Sequence, residues 1–252
     1  MATNVLDTLD RERRRAGERS RHGDIVKEYS PDGSECLIVY SHCTAHNVDH
    51  IIRSEVSLAI ERRYTLEWKV YGHDTPPALR ERLLIGGFEP GPVESFMVLP
   101  VNAESLAAFS TRAFDIKRIH DSKGLSDVAA ISREIGRHNV EEEEHRLTLT
   151  LQNNPEQMSV YVGYVDGEPA ACGRIYFKDG SDLAELCGGR TKTTYRYRGL
   201  YTALVAVRLR EALKRNRTCV YVDALPTSEP ILRKRGFQFV TTTQPFVYEL
   251  RT

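Results

Sequence analysis

The stretch Thr194-Tyr-Arg-Tyr-Arg-Gly-Leu-Tyr-Thr202 is the most informative part of the sequence, because a helical pattern over residues 203–214 follows it directly. The first backbone N–H groups of a helix have no partner within the helix, and the helix dipole is positive at that end. Arg196 and Arg198 add fixed positive charge, and Gly199 lets the backbone come close to a ligand. The stretch therefore predicts a diphosphate site, with a solvated basic turn as the alternative.

The hydrophobic pattern on both sides of this stretch alternates between strand and helix periods and predicts an α/β fold. Strands are predicted at Glu35–Tyr40, Thr65–Tyr71, Ser95–Val101, Ile116–Ile119, Met158–Val165, Pro169–Phe177, Leu183–Cys187, Cys219–Ala224 and Phe237–Leu250. Helices are predicted at Val48–Arg63, Pro77–Leu84, Leu125–Arg137, parts of Val140–Leu151, residues 203–214 and about Pro230–Arg235. Asp166-Gly167 is a turn signal and predicts a hairpin between two of the strands.

Composition places the 252-residue chain among globular proteins with a normal core. Lys plus Arg and Asp plus Glu are equal at 35 each, so no bulk charge indicates a nucleic acid or an acidic membrane as partner. Five scattered cysteines without CxxC spacing, no apolar run of membrane-spanning length and no apolar leader favour a reduced, cytoplasmic protein. The Arg-rich segment 1–22 is expected to be a frayed or surface helix.

An internal repeat relates the two halves of the chain. One sequence offset separates Leu83 from Leu232, Gly87 from Gly236 and Phe88 from Phe237, and it also separates Asp74 from Asp223. Each copy is predicted as a strand, a helix and a Gly-Phe pair, with the glycine in the left-handed conformation that ends a helix.

The same offset places Asn47-Val-Asp-His-Ile-Ile52 where the Arg/Gly turn would be, without Gly or Arg. We therefore expect a polar segment 1–22, a degenerate N-terminal domain at 23–110 and a catalytic domain at 111–252.

The ordered set of motifs in the C-terminal half resembles the GCN5-related N-acetyltransferases (GNAT). The residues that carry the resemblance are Ala184-Glu-Leu-Cys-Gly-Gly-Arg-Thr191, Arg196-Tyr-Arg-Gly-Leu-Tyr-Thr-Ala-Leu204 and Ser228-Glu-Pro-Ile-Leu-Arg-Lys-Arg-Gly-Phe237. Tyr201 departs from the small residue that usually ends the family's turn. The resemblance implies a mixed, mostly antiparallel sheet flanked by helices, in two tandem copies of which the N-terminal one is degenerate.

The resemblance also implies an acetyl-CoA-dependent N-acetyltransferase that acts on a primary amine in a ternary complex. Acetyl-CoA would enter as a co-substrate, with its diphosphate on the turn amides and its pantetheine arm along the free edge of the preceding strand. The residues implied to contact it are Leu186, Cys187, Gly188, Arg196, Arg198, Gly199, Leu200, Tyr201, Thr202 and Ser228. Ser228 is equally explained as a helix N-cap.

Acetyl transfer to an amine needs a base, because a lysine-like amine has a pKa of ~10.4 and is protonated at neutral pH. Glu185 is the candidate base, with a solvent-facing strand residue as the alternative, and Asp223 is the second candidate. The short helix before Gly236 lacks the tyrosine that many family members use as general acid. Either Tyr201 or Tyr248 substitutes for it, or the thiolate leaves unprotonated.

Other readings stay open at this stage. A catalytically impaired acyl-CoA-binding or protein-interaction module is the alternative to an enzyme. The acceptor cannot be read from the sequence, and edge-strand pairing in a homodimer is compatible with it. His42, His46 and His50 have the spacing of one helix face, but we expect surface histidines and no metal site. The run Glu141–Glu144 is expected to be a solvated face, with attraction of a cationic acceptor as the alternative.

Overall fold

The computed structural model describes residues 2–19 and 24–250 of the chain. Its helices are α1 (Ala2–Arg15), α2 (Val48–Arg62), α3 (Leu79–Ile85), α4 (Ala103–Ala108), α5 (Ser122–Glu134), α6 (Val140–Asn153), α7 (Leu200–Lys214) and α8 (Glu229–Arg233). Its strands are β1 (Glu18–Arg19), β2 (Ile25–Tyr29), β3 (Glu35–Ser41), β4 (Thr65–Tyr71), β5 (Glu89–Pro90), β6 (Glu94–Pro100), β7 (Asp115–Ile119), β8 (Met158–Val165), β9 (Glu168–Phe177), β10 (Leu183–Thr191), β11 (Cys219–Ala224) and β12 (Gln238–Tyr248). The predicted α/β class, with a mixed and mostly antiparallel sheet, is confirmed.

The chain forms two compact units. Unit 1 consists of residues 1–96, 224–229 and 239–252, and unit 2 consists of residues 97–223 and 230–238. The predicted boundary between the duplicated segments near residue 110 stays a prediction, because compactness and duplication are different properties.

Unit 2 contains the strands that surround the Arg/Gly turn. β7, β8, β9 and β10 form an antiparallel meander, and β11 joins β10 in parallel. The connection from β10 to the parallel strand β11 passes through α7, as a parallel pair requires a crossover. Helices α5 and α6 cover one face of the meander through a core that includes Leu125, Ile131, Leu147 and Val160. This packing fixes the strand on which the candidate base lies.

Unit 1 repeats the parallel arrangement. β3 pairs with β4 in parallel, with α2 between them in the chain, and β2 and β12 add to the two outer edges in antiparallel fashion. Trp68 of β4 is fully buried in the core of this unit.

The Gly-Phe pairs of the repeat adopt matching geometry in the two units. Gly87 has φ 88° and Gly236 has φ 98°, so both take the left-handed conformation that the repeat predicts. The N–H of Phe88 donates to the Leu83 carbonyl at 3.1 Å in unit 1. The corresponding distance from Phe237 to the Leu232 carbonyl is 3.2 Å in unit 2. Both phenylalanines are buried, which supports a common origin for the two segments.

Two N-terminal elements differ from the expectation. The sequence predicts no strand at β2, because Lys27 and Glu28 interrupt its apolar pattern; Lys27 is nevertheless buried and pairs with Glu55 of α2 at 2.9 Å. Helix α1 is not a simple surface helix, since Leu9 and Arg13 are 3% and 4% exposed. None of the helices in the described residues is long and apolar enough to cross a membrane.

Candidate functional site

The candidate site begins where the two parallel strands of unit 2 part. β10 and β11 are paired from Leu183↔Cys219 to Glu185↔Tyr221, and beyond that point both strands continue without pairing to each other. The backbone of β10 after Glu185 therefore has an edge that β11 does not occupy. This is the edge at Leu186, Cys187 and Gly188 on which the resemblance places the pantetheine arm.

A β-bulge interrupts the pairing of β10 with β9 beside this edge, and it contains two glycines. The register between β9 and β10 shifts between Cys187 and Arg190, and Gly188 has φ 60°. A Cβ at Gly188 would lie 2.8 Å from Cζ of Arg174, and a Cβ at Gly189 would lie 2.9 Å from a ring carbon of Tyr201. The glycines thus admit a guanidinium and an aromatic ring against the backbone at the bulge.

Glu185 has a tyrosine on each side across the sheet. It is paired directly with Tyr176 of β9 and with Tyr221 of β11, so the three side chains project from one face. The Tyr221 hydroxyl donates a hydrogen bond to Oε2 of Glu185 at 3.2 Å. Tyr221 is not among the site residues predicted from the sequence. Its position in the predicted strand Cys219–Ala224 places it beside the base only once the pairing register with β10 is known.

A cluster of two arginines and one glutamate stands on the same face as Glu185. Glu143 of α6 accepts hydrogen bonds from Arg174 at 2.8 Å and from Arg190 at 2.6 and 2.8 Å. Burial alone would raise the pKa of Glu143, but the hydrogen bonds and charges of the two arginines outweigh it and lower the pKa to about 2. The expectation that the run Glu141–Glu144 is a solvated face is wrong for Glu143, because sequence alone does not show the partner strands.

The Arg/Gly turn presents its backbone as expected. Gly199 has φ 94°, a conformation that favours glycine, and helix α7 begins at the next residue with no side-chain cap on its first N–H groups. Arg196 and Arg198 are exposed, and Cζ of Arg198 lies 5.3 Å from the ring centre of Tyr195. The helix starts three residues earlier than the sequence predicts. Leu200, Tyr201 and Thr202 therefore form its first turn.

Tyr201 and Glu185 lie on opposite faces of β10. Glu185 shares a face with Arg174, which contacts Glu143 of α6. Tyr201 belongs to α7, and α7 covers the other face, because its Arg208 approaches Gly173, the neighbour of Arg174 in β9. The structure does not bring the two predicted catalytic residues together on one surface.

Arg208 links α7 to β9 and β10 at the bulge through hydrogen bonds to backbone carbonyl oxygens. It is 2% exposed and donates to the carbonyl oxygens of Leu204 at 2.9 Å, Arg174 at 2.9 Å and Cys187 at 3.4 Å. Burial lowers the pKa of Arg208. This residue joins the helix that carries the anion turn to the strand that carries the open edge. Its only signal in the sequence is a charged residue within an apolar helix.

A cleft of about 710 Å³ lies in unit 2 beside the first turn of α7. Its lining includes Thr202, Ile231 and two basic residues, Lys234 and Arg235. Arg235 also donates to the carbonyl oxygen of Ala108 in α4. The volume lies within the range of small-ligand sites, which is about 300–1,000 Å³.

Several predicted residues lie elsewhere. Ser228 belongs to the segment 224–229 of unit 1, and its hydroxyl donates to the Leu225 carbonyl at 3.1 Å. Tyr248 belongs to unit 1 as well, and its ring lies 5.6 Å from that of Phe88. Asp223 is in unit 2, in the part of β11 that continues beyond its pairing with β10. The described part of the chain contains no group of three or more His, Cys, Asp or Glu placed to hold a metal ion.

Comparison with known proteins identifies the region that contains this geometry. Residues 125–237 match the model of the Acetyltransferase (GNAT) family, whereas no curated protein matches the chain. A functionally unknown conserved protein from Staphylococcus epidermidis ATCC 12228 has a similar structure, with a TM-score of 0.66 at 17% identity over 87% of this chain and 86% of that one.

Two further solved structures are similar over most of this chain. A GCN5-related N-acetyltransferase from Kribbella flavida gives a TM-score of 0.65 at 13% identity, covering 98% of this chain and 95% of that one. A tandem GNAT protein from the clavulanic acid biosynthesis pathway gives 0.60 at 12% identity, covering 86% and 75%. At these identities the likeness shows the fold alone.

Proposed function

We propose that the chain transfers the acetyl group of acetyl-CoA to a primary amine, since residues 125–237 match the model of the Acetyltransferase (GNAT) family. The observation that carries the proposal is the parting of β10 and β11 directly after the Glu185↔Tyr221 pair. It leaves an open strand edge, a carboxylate and the N-terminus of α7 within one compact unit.

The open edge and the turn suit the two ends of an extended donor. The pantetheine arm carries amides that can pair with the backbone of Leu186, Cys187 and Gly188. The diphosphate is anionic and is suited to the free N–H groups from Arg198 through Thr202, with Arg196 adding charge. The cleft beside Thr202 would take the nucleotide end, where Lys234 could pair with its 3′-phosphate.

The proposed reaction is a direct attack. The amine nitrogen forms a bond to the thioester carbonyl carbon, the C–S bond breaks, and CoA leaves as a thiolate. Glu185 takes the amine proton, directly or through water, and the Tyr221 hydroxyl holds its carboxylate in place. A backbone N–H of the open edge serves the developing oxyanion, and Tyr201 is the candidate that protonates the thiolate from the α7 face.

An acyl-CoA-binding or protein-interaction module without turnover is the second candidate function. It is favoured by the separation of Tyr201 from Glu185 on opposite faces of β10, and by the short helix α8, which has no tyrosine where many family members carry the general acid. The two candidates differ in what they require of Glu185, since a binding module does not need a base.

The test is release of free CoA thiol from acetyl-CoA in the presence of a panel of primary amines, amino acids and lysine peptides. With a working acceptor, Glu185→Gln should lower kcat by about 10²–10³-fold while the affinity for acetyl-CoA is kept. Tyr221→Phe should lower it less, by roughly tenfold, because it removes a hydrogen bond to the base and not the base itself. The matched control is Glu168→Gln, at an exposed position of β9.

Turnover that survives Glu185→Gln unchanged would contradict the assignment of the base. The binding module would be favoured if the protein binds acetyl-CoA, releases no thiol with any acceptor in the panel, and keeps its acetyl-CoA affinity in Glu185→Gln.

A further inference from the structure

The parallel pair of unit 1 also parts, and a side chain of the same chain occupies its open edge. β3 and β4 are paired from Glu35↔Thr65 to Ile38↔Trp68, and both strands then continue to Ser41 and Tyr71. The Val39 carbonyl lies on the open part of β3, and Nε of Arg13, from helix α1, donates to it at 2.7 Å. Arg13 therefore binds the strand edge of unit 1 that corresponds to the proposed donor edge of unit 2.

Two carboxylates accept hydrogen bonds from the two terminal nitrogens of the Arg13 guanidinium. Nη1 of Arg13 donates to Asp10 at 2.7 Å and to Asp74 at 3.1 Å, and Nη2 donates to both oxygens of Asp74 at 3.1 and 2.9 Å. The Asp74 side chain is 3% exposed and the Arg13 side chain is 5% exposed. Asp74 is also fixed by the N–H of Tyr71, which donates to it at 2.9 Å.

Aromatic rings lie against the planar face of the Arg13 guanidinium. Cζ of Arg13 lies 3.7 Å from the centre of the Tyr71 ring and 5.3 Å from that of Tyr40. His73 lies edge-on to Tyr71, and its Nε2 is 3.1 Å from Asp10, while its Nδ1 is buried without a partner. Every part of the guanidinium therefore has a matching surface: a carbonyl for Nε, carboxylates for the fork and a ring for the planar face.

These contacts are specific for a guanidinium. An ammonium group has the same charge but lacks the planar fork that meets Asp74 with two nitrogens, and it cannot stack flat on Tyr71 while donating to Val39. We propose that the open edge of β3 in unit 1 is a guanidinium-binding site, and that Arg13 is its intramolecular ligand. The ligand class that can replace Arg13 is an alkylguanidinium, such as an arginine side chain presented in trans.

Chemical rescue tests this site without reference to catalysis. The full-length Arg13→Ala variant should melt at a lower temperature than wild type, since it leaves Asp74 buried without its partner. n-Propylguanidinium chloride should then raise the Tm of the variant saturably, by about 3 °C or more, because it binds the folded state alone. n-Propylammonium chloride at the same concentration should give less than a third of that shift. Arg11→Ala is the matched control, at an exposed position of the same helix.

A second variant confines the effect to the site. In Arg13→Ala/Asp74→Asn the stabilisation by propylguanidinium should disappear. Should Arg13→Ala fail to fold by itself, the same two cations are compared by the yield of refolded protein, measured by circular dichroism. Equal effects of the two cations, no effect of either, or rescue that persists in the double variant would each overturn the proposal.

Discussion

Replacing Glu143 by Gln removes the carboxylate that accepts hydrogen bonds from both Arg174 and Arg190. The pKa of Glu143 falls from 4.5 to about 2 on folding, which corresponds to about 3 kcal/mol in favour of the ionised carboxylate. The Glu143 side chain is only 20% exposed, so solvent screens the interaction weakly. We expect Glu143→Gln to lower the free energy of unfolding by about 3 kcal/mol at neutral pH, and the Tm by roughly 10 °C.

The pH dependence of this effect has a definite sign. A carboxyl whose pKa is lower in the folded state stabilises fully above its unfolded pKa and loses that contribution as pH falls through its folded pKa. The stabilisation by Glu143 should therefore be complete above about pH 5 and decline between pH 4.5 and 2, with about half of it left near pH 3. Thermal melts of wild type and variant should accordingly converge on acidification.

The control for this prediction is Glu142→Gln, at an exposed position on the same turn of α6. It should change the free energy of unfolding by less than about 0.5 kcal/mol. The reasoning is refuted if the two variants melt at the same temperature at pH 7, or if the gap between wild type and Glu143→Gln is the same at pH 7 and pH 3.

Two more predictions concern the open edge of β10. Gly188→Ala should lower the free energy of unfolding by about 2 kcal/mol and weaken acetyl-CoA binding in a titration, because it strains a backbone at φ 60° and places Cβ 2.8 Å from Arg174. The control is Gly167→Ala, at φ 84° with open space around it, which should cause backbone strain but leave acetyl-CoA binding intact. Cys187 should be the first thiol labelled by a disulfide reagent in the native protein, because the other four cysteines are buried; peptide mass spectrometry identifies the labelled residue. Acetyl-CoA should slow the labelling of Cys187. Equal labelling rates with and without acetyl-CoA would contradict the proposed donor edge.

Local patterns explain why much of unit 2 could be predicted from the sequence. The strand Met158–Val165 and the strand Cys219–Ala224 are found with the predicted bounds, since their apolar runs end at turn signals and polar residues. Gly188 and Gly189 leave room at the bulge for two side chains that lie too close to the backbone for any other residue type. The helix after the Arg/Gly turn is predicted as well, although α7 begins at Leu200, directly after Gly199, and not at residue 203.

The partners of the charged residues could not be predicted, because they are brought together by tertiary structure. Glu143 and Arg190 are 47 residues apart, and neither has a pattern that identifies the other. Tyr221 is an ordinary strand residue until the register with β10 places it opposite Glu185. Arg13 belongs to a polar helix whose composition indicates solvent, yet it is buried against Asp74, 61 residues away. Sequence patterns show which face of an element is apolar, but they do not specify the pairs of buried ions.

The central claim is that unit 2 binds an acyl donor at the turn before α7 and along the open edge of β10. Calorimetric titration of the full-length protein with acetyl-CoA tests it most directly, beside the double variant Arg198→Glu/Gly199→Glu. The matched control is Arg137→Glu/Gly136→Glu, which makes the same two changes at an exposed turn of unit 2 where Gly136 also has positive φ, 75°. The account predicts one site per chain with a Kd on the order of 10 μM in wild type and control, and loss of binding in the turn variant. Absence of binding by the folded wild type, or equal binding by all three proteins, would contradict it.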